Sequence, residues 1–213
     1  MNKFQILFKR FVLHSYCIII FSNLYSNSID NELWTGIEIQ KDYTKKINIE
    51  VGQYIRFKDQ FSQFHKTYTD VALAYQLNSI VDFSVGYRYL IYDDKTLHRV
   101  NFDSKINIEK FKYIPDLRIS IQKELPHDEI VLRHKLTIEF PKIKKFSPYC
   151  LYEGFYSANP SILLKQKYRL GIGVKLNLPR KNSIKFYYYN QSELDKDNLE
   201  DTNIWGTKYE YLF

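Results

Sequence analysis

The feature that most constrains this 213-residue chain is the alternation of apolar and polar residues in segment after segment. It is clearest in residues 166–178, where apolar residues fill every second position from Tyr168 to Leu178. Successive side chains of a β-strand point to opposite faces, so the pattern predicts strands with one apolar and one polar face. Strands are expected, in chain order, at 33–41, 46–57, 66–77, 80–92, 97–109, 117–122, 132–140, 148–156, 166–178, 184–191 and 203–213.

The last of these segments, Asn203 to Phe213, is aromatic at alternate positions. An unpaired aromatic strand at a sheet edge promotes aggregation, whereas a closed barrel has no edge. The ending resembles the C-terminal signal of bacterial outer-membrane β-barrels, and the residues that carry the resemblance are Tyr209, Tyr211 and Phe213. It implies that the barrel-assembly machinery is a partner of the chain during biogenesis.

The predicted fold is an all-β, antiparallel transmembrane β-barrel of about 10–12 strands. Segments of about 9 to 13 residues can cross a hydrocarbon layer at a tilt. Eleven segments are counted, but bacterial barrels have an even number of strands. Either the first segment lies in or against a ten-stranded barrel, or an unrecognised strand makes twelve. Polar connections near 58–65, 93–96, 126–129, 157–164 and 192–202 are expected outside, and the short ones in the periplasm.

Composition supports a barrel over a helical membrane protein. Aromatic residues make up 17% of the chain, with 19 Tyr and 15 Phe, which suits strands with aromatic girdles at the membrane interfaces. The mean hydropathy is only −0.40, and beyond the N-terminus no segment approaches the roughly 20 apolar residues of a spanning helix.

Residues 1–28 have the layout of a secretory signal peptide, so the domains are a signal peptide (1–28) and a barrel (29–213). Lys3, Lys9 and Arg10 precede a short apolar stretch that ends at Phe21, and small and polar residues follow. The alternative is a short membrane anchor. Cleavage would remove Cys17 and leave Cys150 without a partner for a disulfide. A signal peptide followed by a transmembrane β-barrel predicts that the protein is located in the outer membrane.

Several short motifs along the chain resemble one barrel family. They are Trp34, Gly86-Tyr87-Arg88-Tyr89, Arg133-His134-Lys135-Leu136, Pro148-Tyr149, Glu153-Gly154-Phe155-Tyr156 and the closing strand to Phe213. Together they are similar to the outer-membrane barrel family catalogued as domain of unknown function 2490. The resemblance covers nearly all of residues 29–213, and it implies fold and location without an activity.

No catalytic, metal or cofactor motif is found in the sequence. There is no Gly-rich phosphate loop, no Cys/His cluster with metal spacing and no Gly-x-Ser-x-Gly elbow. His134 is weighed as a lipid hydrolase residue, but the nearest outward serine, Ser104, is expected two strands away. Cys150 is expected to be an inert wall residue. The formal charge of +7 falls to +4 without residues 1–28, which is too small to indicate nucleic-acid binding.

The polar faces of the predicted strands carry a large set of charged residues that would line the lumen. They are Glu50, Arg56, Asp70, Asp82, Arg88, Arg99, Asp103, Arg118, Arg133, Lys135, Glu139, Lys167, Arg169, Lys175 and Lys185. Glu153 is doubtful, because its face also holds Tyr149, Leu151 and Phe155. Bases exceed acids in the second half of the chain, and they are expected to face Glu50, Asp70 and Asp82 across the barrel. Long side chains such as Arg118, Tyr54 and Tyr187 favour a filled or narrow lumen over an open one.

The preferred function is a non-enzymatic outer-membrane barrel, either structural or a narrow solute pore with a net basic lumen. Its surroundings would be outer-membrane lipid, and its solutes small and anionic. The substitutions Arg169→Glu and Lys175→Glu together are expected to reverse the ion preference. The alternatives are a lipid-modifying hydrolase or acyltransferase, and a barrel that binds a ligand or partner through its outer loops.

Overall fold

The computed structural model describes residues 29–108, 114–126, 130–157, 166–195 and 198–213, and these residues form one closed β-barrel. The all-β class and a strand number between ten and twelve are confirmed. The eleven strands of the described residues are β1 Asp30–Asp42, β2 Ile47–Lys58, β3 Gln63–Gln76, β4 Val81–Tyr92, β5 Thr96–Asn107, β6 Ile114–Leu125, β7 Ile130–Glu139, β8 Phe146–Ser157, β9 Gln166–Asn177, β10 Asn182–Asp195 and β11 Asn198–Leu212.

One strand pair departs from the predicted antiparallel order. Ten of the eleven neighbouring pairs are antiparallel, but β1 and β11 pair in parallel, from Asp30 opposite Thr202 to Gln40 opposite Leu212. When strands alternate in direction and their number is odd, the first and last run the same way. The expectation of an even number was therefore wrong, and β1 is a full member of the wall.

Two connections differ from those expected. The polar residues 192–202 belong mostly to the hairpin of β10 and β11, where Ser192 pairs with Asp201. The connection near 58–65 shrinks to residues 59–62, because β3 begins at Gln63. The proposed signal peptide and most of the connection at 157–164 lie outside the described residues.

The register fixes the tilt of the wall. A row of register partners that begins at Asp30 of β1 can be followed around the whole barrel, from Thr202 through Arg169, Lys135 and Lys105. It returns to the first strand beside residue 44, so one circuit shifts the register by about 14 residues along the direction of β1. With strands about 4.8 Å apart and about 3.3 Å per residue, this offset gives a tilt of about 40° and a diameter of about 22 Å. A 12-residue strand then spans about 30 Å along the barrel axis, enough for a hydrocarbon layer.

The outer face of the wall is apolar. Side chains such as Leu73, Val85 and Leu170 point outward and are each 54% exposed. None of the described residues forms a helix that is long and apolar enough to cross a membrane.

Gln53 lies on this outer face, where the alternation predicts an apolar residue. Its amide donates a hydrogen bond to the Thr67 hydroxyl (2.8 Å), and its carbonyl accepts one from the Thr69 hydroxyl (2.5 Å). Both polar ends of the amide are thus satisfied by the neighbouring strand, which lowers the cost of placing it among apolar side chains.

Phe213 closes the parallel seam at the end of β11. Its backbone N–H donates to the Gln40 carbonyl (2.9 Å), and its ring packs edge-on against Tyr211 at 4.3 Å.

We expect deletion of Phe213 to destabilise the seam by about 1–2 kcal/mol and to lower the yield of refolded barrel in detergent. The fraction with heat-modifiable mobility on a gel measures this. Phe213→Tyr, which keeps both contacts, is the control, and an unchanged yield for the deletion would contradict the assignment.

Candidate functional site in the interior of the barrel

All fifteen charged residues expected on the polar faces point into the barrel. They line two interior cavities of about 360 Å³ and 830 Å³. In the described strands, thirteen basic and twelve acidic side chains line these cavities. The basic ones are Arg56, Lys66, Arg88, Arg99, Lys105, Arg118, Arg133, Lys135, Lys167, Arg169, Lys175, Lys185 and Lys208; the acidic ones are Glu32, Glu38, Asp42, Glu50, Asp70, Asp82, Asp103, Asp116, Glu124, Glu139, Glu153 and Glu210. The basic excess is one.

The interior tyrosines lie along the wall instead of reaching across it. The ring of Tyr54 covers Gly36 and Gly52, where a Cβ would overlap it. Tyr187 covers Gly206 in the same way. Tyr149 and Tyr189 likewise lie over glycines of β9. Tyr54 and Tyr187 therefore do not reach across the lumen as the sequence predicted, because glycines make room for their rings against the backbone.

Most interior charges are neutralised by the next strand, not by the opposite wall. Asp70, expected to face the basic wall, binds Arg88 on the adjacent strand with two hydrogen bonds of 2.5 and 2.7 Å. Further ion pairs join Arg99 to Glu124, Lys105 to Asp116, Lys167 to Glu193, Lys185 to Glu210, and Lys208 to both Glu38 and Glu210. Glu38, Lys208 and Glu210 were absent from the expected set, although their polar parity on the first and last strands is visible in the sequence.

Glu153 is the centre of a buried triad. Its Oε1 accepts hydrogen bonds from Arg133 Nε (2.8 Å) and Nη2 (2.5 Å), and its Oε2 accepts one from Arg169 Nη1 (2.7 Å). The Glu153 side chain is only 4% exposed. Its inward orientation, left doubtful by the mixed face of β8, is thus established by two guanidinium partners.

Five arginines form a belt around the lumen, defined as Arg56, Arg88, Arg99, Arg133 and Arg169. The register shift of about 14 residues, divided among eleven strands, is about 1.3 residues from each strand to the next. With this shift, the positions of all five arginines along the barrel axis agree within about two residues. The belt lies near the middle of the wall, slightly toward the end away from Phe213.

Within the belt, guanidinium groups alternate with aromatic rings. Tyr68 lies between Arg88 (4.4 Å) and Arg56 (5.0 Å), measured from guanidinium carbon to ring centre. Trp34 lies between Arg56 (3.5 Å) and Arg169 (4.9 Å). Phe155 continues the series between Arg169 (4.7 Å) and Arg133 (5.4 Å). These cation–π contacts connect β4 to β7 by way of the parallel seam, and they hold the arginines against the wall.

A smaller set of interior charges forms no ion pair within the described strands. The bases of this set are Arg56, Lys66, Arg118, Lys135 and Lys175, and the acids are Asp42, Glu50, Asp82, Asp103 and Glu139. Arg56 and Lys66 instead contact aromatic rings, and Asp103 accepts hydrogen bonds from Asn101 and Ser84. Arg118, Lys135 and Lys175 are therefore the bases that remain to interact with solutes.

The family model described as "Protein of unknown function (DUF2490)" matches residues 31–203 of the chain. The chain belongs to this family. The match includes all eleven strands in whole or in part and confirms the family resemblance found in the sequence.

Two solved structures are similar to this DUF2490 member. One is described as "Bacterial polysaccharide outer membrane secretin", with a TM-score of 0.49, 12% identity, and coverage of 78% of this chain and 64% of that one. The other is "Anion-selective porin from Comamonas acidovorans", with a TM-score of 0.41, 11% identity, and coverage of 79% and 54%. The chain thus spans less than two thirds of either structure's length. No curated protein matches it.

On the outer wall of this DUF2490 barrel, Ser104 and His134, the two residues considered for lipid hydrolysis, lie on strands that are not neighbours. Ser104 and His134 lie in one register row with Ile119 between them, so the two strand spacings separate them by about 10 Å. His134 packs against the rings of Tyr152 and Tyr156, and Cys150 is a free thiol on the same outward face of β8. Among the described residues no group of His, Cys, Asp and Glu side chains is arranged to hold a metal ion.

The packing of Tyr187 on Gly206 gives a testable prediction. We expect Gly206→Ala to displace the ring into the lumen and to lower the free energy of unfolding by about 1–3 kcal/mol, because a Cβ overlaps the ring. Urea unfolding in detergent measures this cost. In a Tyr187→Ala background the same Gly206→Ala change should cost almost nothing. An equal cost in both backgrounds would mean that the ring does not occupy this position.

Proposed function

We propose that this protein is a non-enzymatic outer-membrane barrel whose interior forms a narrow, anion-preferring path for small solutes. The observation that carries the proposal is the inverted distribution of polarity: an apolar outer face on a closed wall whose described interior holds 25 charged side chains. A chain in water would expose the opposite arrangement, whereas a barrel in lipid needs this one.

The width of the path follows from the side chains that line it. A backbone diameter of about 22 Å leaves more space than small eight-stranded barrels have. Tyrosines lie flat over glycines, ion pairs between neighbouring strands hold four of the five belt arginines to the wall, and aromatic rings hold Arg56. Space therefore remains along the axis, but the belt and its aromatic rings narrow it to the size of small solutes.

The preference for anions rests on the bases without ion pairs. Arg118, Lys135 and Lys175 lie on β6, β7 and β9. Of the acids without ion pairs in the described strands, only Glu139 shares one of these strands, whereas the others lie on β1, β2, β4 and β5. In a confined lumen of low dielectric constant, a small excess of one sign sets the ion preference of the current.

Two measurements test the proposal in order. Expression of the full chain in a Gram-negative host should place it in the outer-membrane fraction with an N-terminus near Ile29. The purified protein in a planar bilayer should then pass a small current whose reversal potential in a KCl gradient reports a preference for chloride. A phospholipase assay on the same preparation should show no activity.

Each result can contradict the proposal separately. Recovery of most of the protein in the soluble periplasmic fraction would refute the membrane location. A folded, inserted protein that passes no current would leave a structural barrel without a path. Phospholipid hydrolysis that is lost in His134→Ala would favour the enzymatic alternative.

A further inference from the structure

Two interior bases of like charge lie side by side on neighbouring strands. Arg118 on β6 and Lys135 on β7 are direct partners in the register, and Lys105 on β5 is the next residue in the same row. Like charges directly opposite each other on paired strands repel. Such an arrangement is unfavourable unless something of opposite charge lies between them.

The two carboxylates that flank this pair along the neighbouring strands are bound to other bases. Glu153 is the register partner of Lys135, but its two oxygens accept hydrogen bonds from Arg133 and Arg169. Asp116, two residues before Arg118, forms its ion pair with Lys105 at 3.0 Å. Within the described residues no carboxylate lies within ion-pair distance of Arg118 or Lys135. The wall therefore presents two adjacent positive charges to the lumen.

The pair faces open space. Both side chains line the cavity of about 830 Å³, and Arg118 also borders the cavity of about 360 Å³. Neither is covered by an aromatic ring, unlike Arg56, which is held between Trp34 and Tyr68. A guanidinium offers a planar fork of donors and an ammonium offers a point charge, and together they suit a compact anion with several oxygens.

We propose that Arg118 and Lys135 form a binding site for a small divalent oxyanion of the phosphate type, with Lys105 as a neighbouring charge. This inference rests on the proposed function for the route by which the anion arrives, but binding does not require conduction. Bound phosphate would neutralise the repulsion between the two bases, and it would bind only the folded barrel. It should therefore raise the melting temperature.

The experiment measures the melting temperature of the purified full chain in a non-ionic detergent, at constant ionic strength, as inorganic phosphate replaces chloride. We expect the wild type to melt at a higher temperature in phosphate. The double variant Arg118→Gln with Lys135→Gln should bind phosphate at least about tenfold more weakly, because each charge-assisted hydrogen bond contributes at least that factor. Isothermal titration of phosphate gives the affinity directly.

A matched control removes the same amount of interior charge elsewhere. Lys66→Gln with Lys175→Gln deletes two bases that form no ion pair and are not neighbours in the register. This variant should keep the response to phosphate. Without phosphate, the Arg118/Lys135 variant should melt no lower than the wild type, since the repulsion is removed.

Three outcomes would overturn the site: no phosphate response in the wild type, an equal loss of response in both double variants, or a lower melting temperature of the Arg118/Lys135 variant without phosphate. The last would mean that the two side chains have partners within the chain. The readouts separate the two proposals, because a barrel that binds phosphate but passes no current refutes only the path. An anion-preferring current without phosphate binding refutes only the site.

Discussion

Glu153→Gln is expected to lower the free energy of unfolding by about 2–4 kcal/mol, the largest single-residue effect on stability that the structure predicts. The carboxylate neutralises two guanidinium groups at once, and Arg169 is only 12% exposed. Substitution by an amide keeps the shape but leaves two partly buried cations with one neutral acceptor. The midpoint and slope of urea unfolding from detergent micelles measure the change.

Glu139→Gln is the matched control for this prediction. Glu139 lies on the adjacent strand and lines the same cavity, but it forms no ion pair within the described strands, so its loss should change the free energy of unfolding by less than about 1 kcal/mol. The triple variant Arg133→Met, Glu153→Leu, Arg169→Met should recover most of the stability, because no charge is then left without a partner. If Glu153→Gln and Glu139→Gln are equally mild, the triad does not stabilise the wall.

Outside β8, the alternation of the sequence predicted which charged side chains point into the barrel. Period 2 assigned Lys167, Arg169 and Lys175 to one face of β9, and the structure places all three inside. Alternation says nothing about which strand pairs with which, because a strand shows the same pattern beside any neighbour. The parallel pairing of β1 with β11 follows from the number of strands and from closure, and a count that was uncertain by one strand could not give it.

The ion-pair partners of the interior charges were harder to predict, because they depend on the distance between strands. Neighbouring strands lie about 4.8 Å apart, whereas opposite walls are about 22 Å apart, so ion pairs form locally. Asp70 thus binds Arg88 on the next strand, not a base across the lumen. On β8 the inward face holds Tyr149, Leu151 and Phe155, whose side chains pack over glycines and guanidinium groups inside the barrel. Because these residues give the face a mixed polarity, the sequence pattern did not identify Glu153 as an inward residue.

Ion preference should therefore be changed through bases without ion pairs. The substitution Arg169→Glu, favoured by the sequence alone, would place a second carboxylate group beside Glu153 in the triad's site and unfold the barrel before it altered selectivity. Lys135→Glu with Lys175→Glu instead changes the interior charge by four, while the excess of basic over acidic side chains in the described strands is only one. We expect this variant to pass a cation-preferring current, with a reversal potential in a KCl gradient opposite in sign to that of the wild type.

The control must change the same total charge without touching the lumen. Lys142→Glu with Lys144→Glu does so on the exposed turn between β7 and β8. Because charges exposed to bulk electrolyte are screened within about 8–10 Å, this variant should keep the wild-type sign of the reversal potential. If the exposed pair reverses the preference as well, the potential at the mouth selects ions; if neither pair does, Lys135 and Lys175 do not face the conducting path.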